Sequence, residues 1–151
     1  MDVKTILAAK KRNEKRDLGG DIVSIEPTAN LSAAAQLLAA HRIGAVVILG
    51  AGGRLAGILS ERDIVRAISE NDAAALALPV GQVMTRNVAT CTEDDTVANI
   101  MERMTAGKFR HMPVVKKERL VGLISIGDVV KQRVDEVEQE SEAMRDYIRT
   151  A

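Results

Sequence analysis

The sequence predicts an α/β (α+β) protein built from one βαββα unit used twice and followed by a helical extension. Three observations predict it. The segment IVSIEPTANLSAAAQLLAAHRIGAVVIL from Ile22 aligns with VATCTEDDTVANIMERMTAGKFRHMPVV from Val88 at a constant offset of 66 residues. LAGILSERDIV (Leu55 to Val65) then aligns with LVGLISIGDVV (Leu120 to Val130) at an offset of 65. After Asp128 neither Gly nor Pro occurs, and apolar residues recur at helical spacing.

Each copy reads strand, helix, strand, hairpin, strand, helix. Leu31, Ala34, Ala35 and Leu38 fall on Val97, Ile100, Met101 and Met104. Both sets have i, i+3, i+4, i+7 spacing, the mark of one buried helix face. The strand-like Ala45 to Leu49 meets His111 to Val115. The offset changes inside a hairpin, Gly50-Ala51-Gly52-Gly53-Arg54 against Lys116-Lys117-Glu118-Arg119. A true repeat tolerates a length change there. Glycines in the longer turn permit positive φ. A short lead-in precedes each copy, Val3 to Leu7 and Leu78 to Met84. One copy alone leaves a sheet face open, so two are expected to pack sheet to sheet about a pseudo-twofold axis. The expected divisions are a lead-in helix and basic loop at 1–20, the first repeat at 21–70, a linker and second lead-in at 71–86, the second repeat at 87–134 and an acidic helix at 135–151.

The last helix is expected to start near Ser125. Val130, Val134, Val137, Ser141, Met144 and Ile148 alternate spacings of 4 and 3, a heptad seam with charges elsewhere. A strip this narrow suits a partner helix or a return onto its own chain.

Composition narrows the function classes. Phe109 and Tyr147 are the only aromatics. A planar ligand must therefore sit between aliphatic side chains and backbone, and an aromatic stacking surface for single-stranded nucleic acid is not available. The net charge is zero but uneven. Residues 1–20 carry six Lys/Arg against three Asp/Glu, and residues 135–151 carry six Asp/Glu against two Arg. One cysteine, Cys91, allows no internal disulfide and reads as a small buried hydrophobe. No apolar run reaches the ~20 residues of a membrane span, and the charges of the N-terminus follow its apolar patch, the wrong order for a secretory signal. A cytoplasmic protein without a membrane segment is the expectation.

Chemistry concentrates in two S-x-x-D segments, Ser60-Glu61-Arg62-Asp63 and Ser125-Ile126-Gly127-Asp128. A Ser followed three residues later by an acid at a helix start is first of all a capping box. Its double occurrence at matched places, each after an apolar strand and a Gly (Gly57, Gly122), adds a binding reading. Each lies where a strand ends and a helix begins, and backbone N–H groups there attract anions. A carboxylate held by the cap can still accept two hydrogen bonds from a vicinal diol such as ribose.

The βαββα repeat ending in G-h-h-S-x-x-D resembles the cystathionine-β-synthase (CBS) domain, and two in tandem resemble a Bateman module, over residues of about 3–134. The resemblance implies a stand-alone, bacterial-type signal-transduction protein that binds an adenosine ligand. AMP, ADP, ATP and NAD rank ahead of S-adenosylmethionine. It implies Asp63 and Asp128 as ribose acceptors, supported by Ser60 and Ser125. It places Ile22, Val23, Ala45, Val46, Val88, Ala89, Met112 and Pro113 against the bases. The copies differ at the phosphates. Lys108, Arg110 and His111 in the second copy are charged or titratable, where the first has Arg42, Gly44 and Ala45; Arg62 in the first faces Gly127 in the second. Phosphate contacts are therefore expected mainly from Arg110, His111 and Lys108, with Arg62 local to one site.

No nucleophile–base pair, P-loop, G-x-G-x-x-G or H-E-x-x-H motif is present, and His41, His111 and Cys91 form no metal-ligand pattern. The expectation is a regulatory binding module, not an enzyme, with no metal. It would signal to a separate effector protein or through a homodimer. The competing reading is a nucleic-acid or protein interaction scaffold using Lys10, Lys11, Arg12, Lys15 and Arg16. Zero net charge and missing aromatics count against nucleic acid. A third reading is a degenerate scaffold that binds nothing.

Overall fold

The computed structural model describes residues 1–14 and 22–150, with side chains described for 1–10 and 22–150. Among the described residues, six α-helices and five strands follow in the order α1 (Val3–Glu14), β1 (Ser24–Ile25), α2 (Leu31–His41), β2 (Ala45–Leu49), β3 (Leu55–Ser60), α3 (Glu61–Asn71), α4 (Val80–Val83), α5 (Val97–Gly107), β4 (His111–Lys116), β5 (Arg119–Ser125) and α6 (Ile126–Thr150). These elements form a mixed helix and sheet protein with two small sheets and a long last helix, as the repeat predicts. They divide into two compact units.

One unit comprises residues 22–90 with Val115–Val121. Its sheet has the order β1-β2-β3, with β1 parallel and β3 antiparallel to β2. Val46, Ile48 and Leu59 from the sheet and Leu31, Leu38 and Ile64 from the helices make the core. β2 is buried from Ala45 to Ile48, which explains its unbroken apolar run. Asn30 caps α2 by accepting from the Ala33 N–H (2.9 Å). The turn between β2 and β3 uses Gly52 (φ 72°) and Gly53 (φ 73°), the left-handed backbone that the glycines promised.

The other unit comprises residues 1–14, Cys91–Val114 and residues 122–150. Thr96 caps α5 through the Asn99 N–H (3.1 Å), and Val97, Ile100 and Met104 are buried along it. The strand expected at Val88 onward reduces to one parallel bridge, Cys91 to Val114. The reason lies in its partner. The matched first-copy pair is Ser24 with Val47, and Val47 corresponds to Pro113. Proline has no N–H to give the ladder at the rung where Val47 donates in the first copy, while the Cys91 N–H still bonds the Pro113 carbonyl (3.0 Å). Cys91 is buried as expected. Burial, with the Asp95 charge adding and the Arg103 charge opposing, pushes its thiol up to about 12. In the second hairpin Lys117 (φ 48°) and Glu118 (φ 66°) take the left-handed conformation without glycine.

Each lead-in docks onto the other repeat. The Val3 N–H bonds the Asp95 carbonyl (2.9 Å) and the Val97 N–H bonds the Met1 carbonyl (3.2 Å). At matched positions the Val80 N–H bonds the Ala29 carbonyl (2.7 Å) and the Leu31 N–H bonds the Leu78 carbonyl (3.0 Å). Thus α1 completes the second copy, and the segment after the first copy completes the first. Val3 and Val80 are the fully buried anchors of these matched dockings.

α6 runs for 25 residues, roughly 37 Å at the usual rise. Only its first turns are buried, at Val129 and Gln132. No described helix is long and apolar enough to cross a membrane.

Candidate functional site

Both S-x-x-D segments form closed capping boxes. In the first copy the Ser60 N–H donates to Asp63 Oδ2 (2.9 Å), the Asp63 N–H donates to Ser60 Oγ (3.3 Å), and Ser60 Oγ donates to Asp63 Oδ2 (3.1 Å). In the second the Ser125 N–H donates to Asp128 Oδ2 (2.8 Å) and the Asp128 N–H donates to Ser125 Oγ (3.2 Å). The strand before each box sets the Ser in extended backbone, and the helix after it supplies the free N–H groups. Capping is therefore real in both copies, and each carboxylate is held at a helix N-terminus.

The glycines before the boxes serve the lead-ins. A Cβ at Gly57 would lie 2.7 Å from Met84 Sδ and 2.7 Å from the Thr85 carbonyl oxygen. A Cβ at Gly122 would lie 2.5 Å from Leu7 Cδ2. The space a side chain would need at these glycines is taken by the protein's own lead-in residues, Met84 and Leu7.

The carboxylates differ in surroundings. Asp63 is 5% exposed, and its Oδ1 accepts from Arg66 and, at 3.5 Å, from the Thr85 hydroxyl. Asp128 is half-buried, and its Oδ2 also accepts from Lys10 Nζ (2.9 Å). Lys10 Nζ donates a second bond to the Leu123 carbonyl (2.7 Å). Arg66 and Thr85 were not among the sequence candidates, and Lys10 was named only in the basic cluster of the scaffold reading. Arg66 had a local signal, since it stands three residues after Asp63 on one helix face. Thr85 and Lys10 come from the lead-ins, far away in sequence, and only the docking of those segments reveals them.

Other candidates are placed as follows. The Ile126 N–H donates to the Arg110 carbonyl (2.7 Å), which sets Arg110 at the entrance of α6 beside the Ser125–Asp128 box. The matched bond runs from the Glu61 N–H to the Gly44 carbonyl (3.0 Å), so Gly44 is where the first copy lacks that side chain. Lys108 is the exposed, left-handed cap of α5 (φ 57°), Arg110 is exposed and His111 is half-buried at the start of β4. Arg62 is exposed on the first turn of α3. Ile22, Val23, Val88 and Ala89 are half-buried, whereas Ala45, Val46, Met112 and Pro113 are buried members of β2 and β4. In the first unit a groove of about 600 Å³ runs beside α2 and α3, lined by Leu38, Arg42, Ile43, Glu61 and Val65 among others. None of the predicted ribose, phosphate or base residues lines it. Of the basic cluster only Lys10 has a described side chain; the expectations for Lys11, Arg12, Lys15 and Arg16 lie outside the described residues.

The family described as CBS domain matches residues 16–70 and 80–135, one match on each copy. The chain is a CBS-domain protein. The tandem pair is also seen in its structural relatives. The CBS-domain containing protein ATU1752 from Agrobacterium tumefaciens is 45% identical, with a TM-score of 0.79 over 87% of this chain and 92% of that one. The CBS domain pair of protein MJ0100, solved in complex with 5-methylthioadenosine and S-adenosyl-L-methionine, is 26% identical, with a TM-score of 0.74 over 90% of this chain and 98% of that one. Mitochondrial CBSX3 from Arabidopsis thaliana is 37% identical over 112 residues, which are 72% of this chain and 54% of that protein. The chain thus spans only about half to two thirds of the length of curated relatives that it matches.

Proposed function

We propose that this CBS-domain pair is a regulatory module without catalytic activity that senses an adenosine nucleotide, AMP, ADP, ATP or NAD, and passes its occupancy to a separate effector or through self-association. The observation that carries the reading is the matched pair of carboxylates, Asp63 and Asp128, each fixed by a capping box at a strand-to-helix corner. A ribose diol would be accepted there, with Arg110, His111 and Lys108 toward the phosphates of the second copy and Arg62 toward those of the first. The adenosine ligands in the 26%-identical MJ0100 pair support the ligand class. S-adenosylmethionine therefore belongs in the test beside the nucleotides. The test is a thermal-shift panel of adenosine, AMP, ADP, ATP, NAD and S-adenosylmethionine. At a hundredfold excess over Kd the true ligand is expected to add about 2.7 kcal/mol of stability. No shift with any of the six would end the reading.

Self-association has a specific surface. Val130, Val134, Val137, Met144 and Ile148 on α6 are 42–66% exposed along one heptad seam. The proposed occupant is α6 of a second copy, running parallel. In that register Arg133 faces Glu138 of the second copy and Glu140 faces its Arg145, both attractive pairs. A fully overlapped antiparallel pair would set Glu138 and Glu140 against themselves and Lys131 against Arg145. Sedimentation of Val137→Glu is expected to show a monomer where the unmodified chain is a dimer. An unchanged oligomer would remove the seam from the interface.

A further inference from the structure

Matched atoms of the two copies are satisfied by different means. In the first copy Ile58 and Thr85 form one antiparallel bridge: the Ile58 N–H donates to the Thr85 carbonyl (3.0 Å), and the Thr85 N–H donates to the Ile58 carbonyl (2.9 Å). The Thr85 hydroxyl then reaches Asp63 Oδ1 (3.5 Å). Ile58 corresponds to Leu123 and Asp63 to Asp128. In the second copy α1 stays helical past the matched point, and among the described residues no lead-in bridge to Leu123 matches that of Thr85 to Ile58. One ammonium does both jobs instead: Lys10 Nζ donates to the Leu123 carbonyl (2.7 Å) and to Asp128 Oδ2 (2.9 Å).

We infer that Lys10 is a built-in competitor for the second ribose site, which an incoming nucleoside must displace from Asp128. The inference rests on the ribose reading of Asp128 given above. A diol that chelates a carboxylate needs both oxygens. Oδ2 already accepts from the Ser125 N–H and from Lys10, so the ammonium stands where the second hydroxyl would donate. The contact is easily exchanged. Lys10 and Asp128 side chains are 30% and 25% exposed, and a pair this close to water holds weakly. The stem is four flexible carbons, and the anchors of α1 lie earlier, at Val3, Ile6 and the Asp2–Thr96 bridge. Lys10 can swing away without undocking the helix. In the first copy the cation on the matched carboxylate is Arg66, which belongs to the same helix as Asp63, whereas Lys10 reaches Asp128 from a separate segment.

Occupancy of the second site is thereby coupled to the Lys10 end of α1. The S-x-x-D boxes match, but what a ligand must displace differs, Arg66 from within α3 in the first copy and Lys10 from α1 in the second.

The experiment compares the full chain with Lys10→Met and, as controls, Lys10→Arg and Lys4→Met, Lys4 being exposed on the same helix. Calorimetry with neutral adenosine, which brings no phosphate to attract a lysine, is expected to show about threefold to tenfold tighter binding at one site in Lys10→Met, the free energy of a weak ion pair read as affinity. Lys10→Arg and Lys4→Met should stay close to the unmodified chain. Equal or weaker adenosine binding by Lys10→Met overturns the inference. Lysine acetylation followed by mass spectrometry reads the contact without ligand: Lys10 should react more slowly than Lys4, and Asp128→Asn should speed it up. If Lys10 is protected in this way but no adenosine ligand binds to any variant, the ribose reading fails and takes the competition with it. If ligand binds and Lys10 is not protected, the competitor alone is wrong.

Discussion

Gly57→Ala is expected to cost about 2–3 kcal/mol of unfolding free energy, and Gly122→Ala distinctly less, about 1 kcal/mol. Both positions sit in matched strands and admit no extra methyl. What they would strike differs. At Gly57 the new Cβ meets the Thr85 carbonyl oxygen at 2.7 Å, the same oxygen that accepts from the Ile58 N–H. Relief requires moving backbone, and that strains or breaks a hydrogen-bonded pair worth about 1 kcal/mol. Met84 Sδ, also at 2.7 Å, could yield by changing rotamer; the carbonyl cannot. At Gly122 the nearest atom is the terminal Leu7 Cδ2, and the next is 3.4 Å away. A leucine methyl can turn aside at modest cost. Urea unfolding of the two variants measures the difference. Equal penalties would show that the lead-ins do not press on these glycines as described.

Asp63→Asn and Asp128→Asn are each expected to weaken the adenosine ligand about tenfold to a hundredfold at their own site, the worth of hydrogen bonds to a charged acceptor. Asparagine keeps one oxygen for the cap, so the helix starts should survive. It removes the charge and turns one acceptor into a donor, which a diol cannot use twice. The structural penalty should be unequal. Asp63 is buried and also holds Arg66 and Thr85, so its replacement should lower stability by about 1–2 kcal/mol. Asp128 is more exposed and loses chiefly Lys10, so about 0.5–1 kcal/mol is expected. Calorimetry for affinity and thermal melts for stability separate the two effects. Unchanged affinity in both variants would mean that the boxes are caps alone.

Much of this architecture was legible from residue order. The faces Leu31–Leu38 and Val97–Met104, the buried run Ala45–Ile48 and the uninterrupted α6 each follow from local periodicity, and local periodicity survives folding. The capping boxes were legible for the same reason, since Ser and Asp stand three residues apart on one turn. What could not be read depends on distant partners. Pro113 looked like any strand residue until its place in the ladder called for an N–H that proline does not have. Gly57 and Gly122 were open to a ligand on paper and prove to be filled by Met84 and Leu7. Lys10 looked like one of several solvated charges, because nothing within ten residues of it says that Asp128 is its partner. The site was thus visible as a pair of boxes, and its inequality became visible only through the docked lead-ins.

The exchanged lead-ins also impose an order on the chain as it is made. The Asn30–Pro79 bridge joins residues whose partners are both present once the first half has been synthesised. The Asp2–Thr96 bridge waits for residue 96 and the Lys10–Asp128 pair for residue 128. Val3 and Ile6, buried in the folded chain, are made well before the second-copy residues that cover them. The closure entropy of the longer loop is only modestly larger, about 0.6 kcal/mol per doubling of length. The burden is therefore one of time: α1 waits, with its apolar face uncovered, for residues that the ribosome has yet to add.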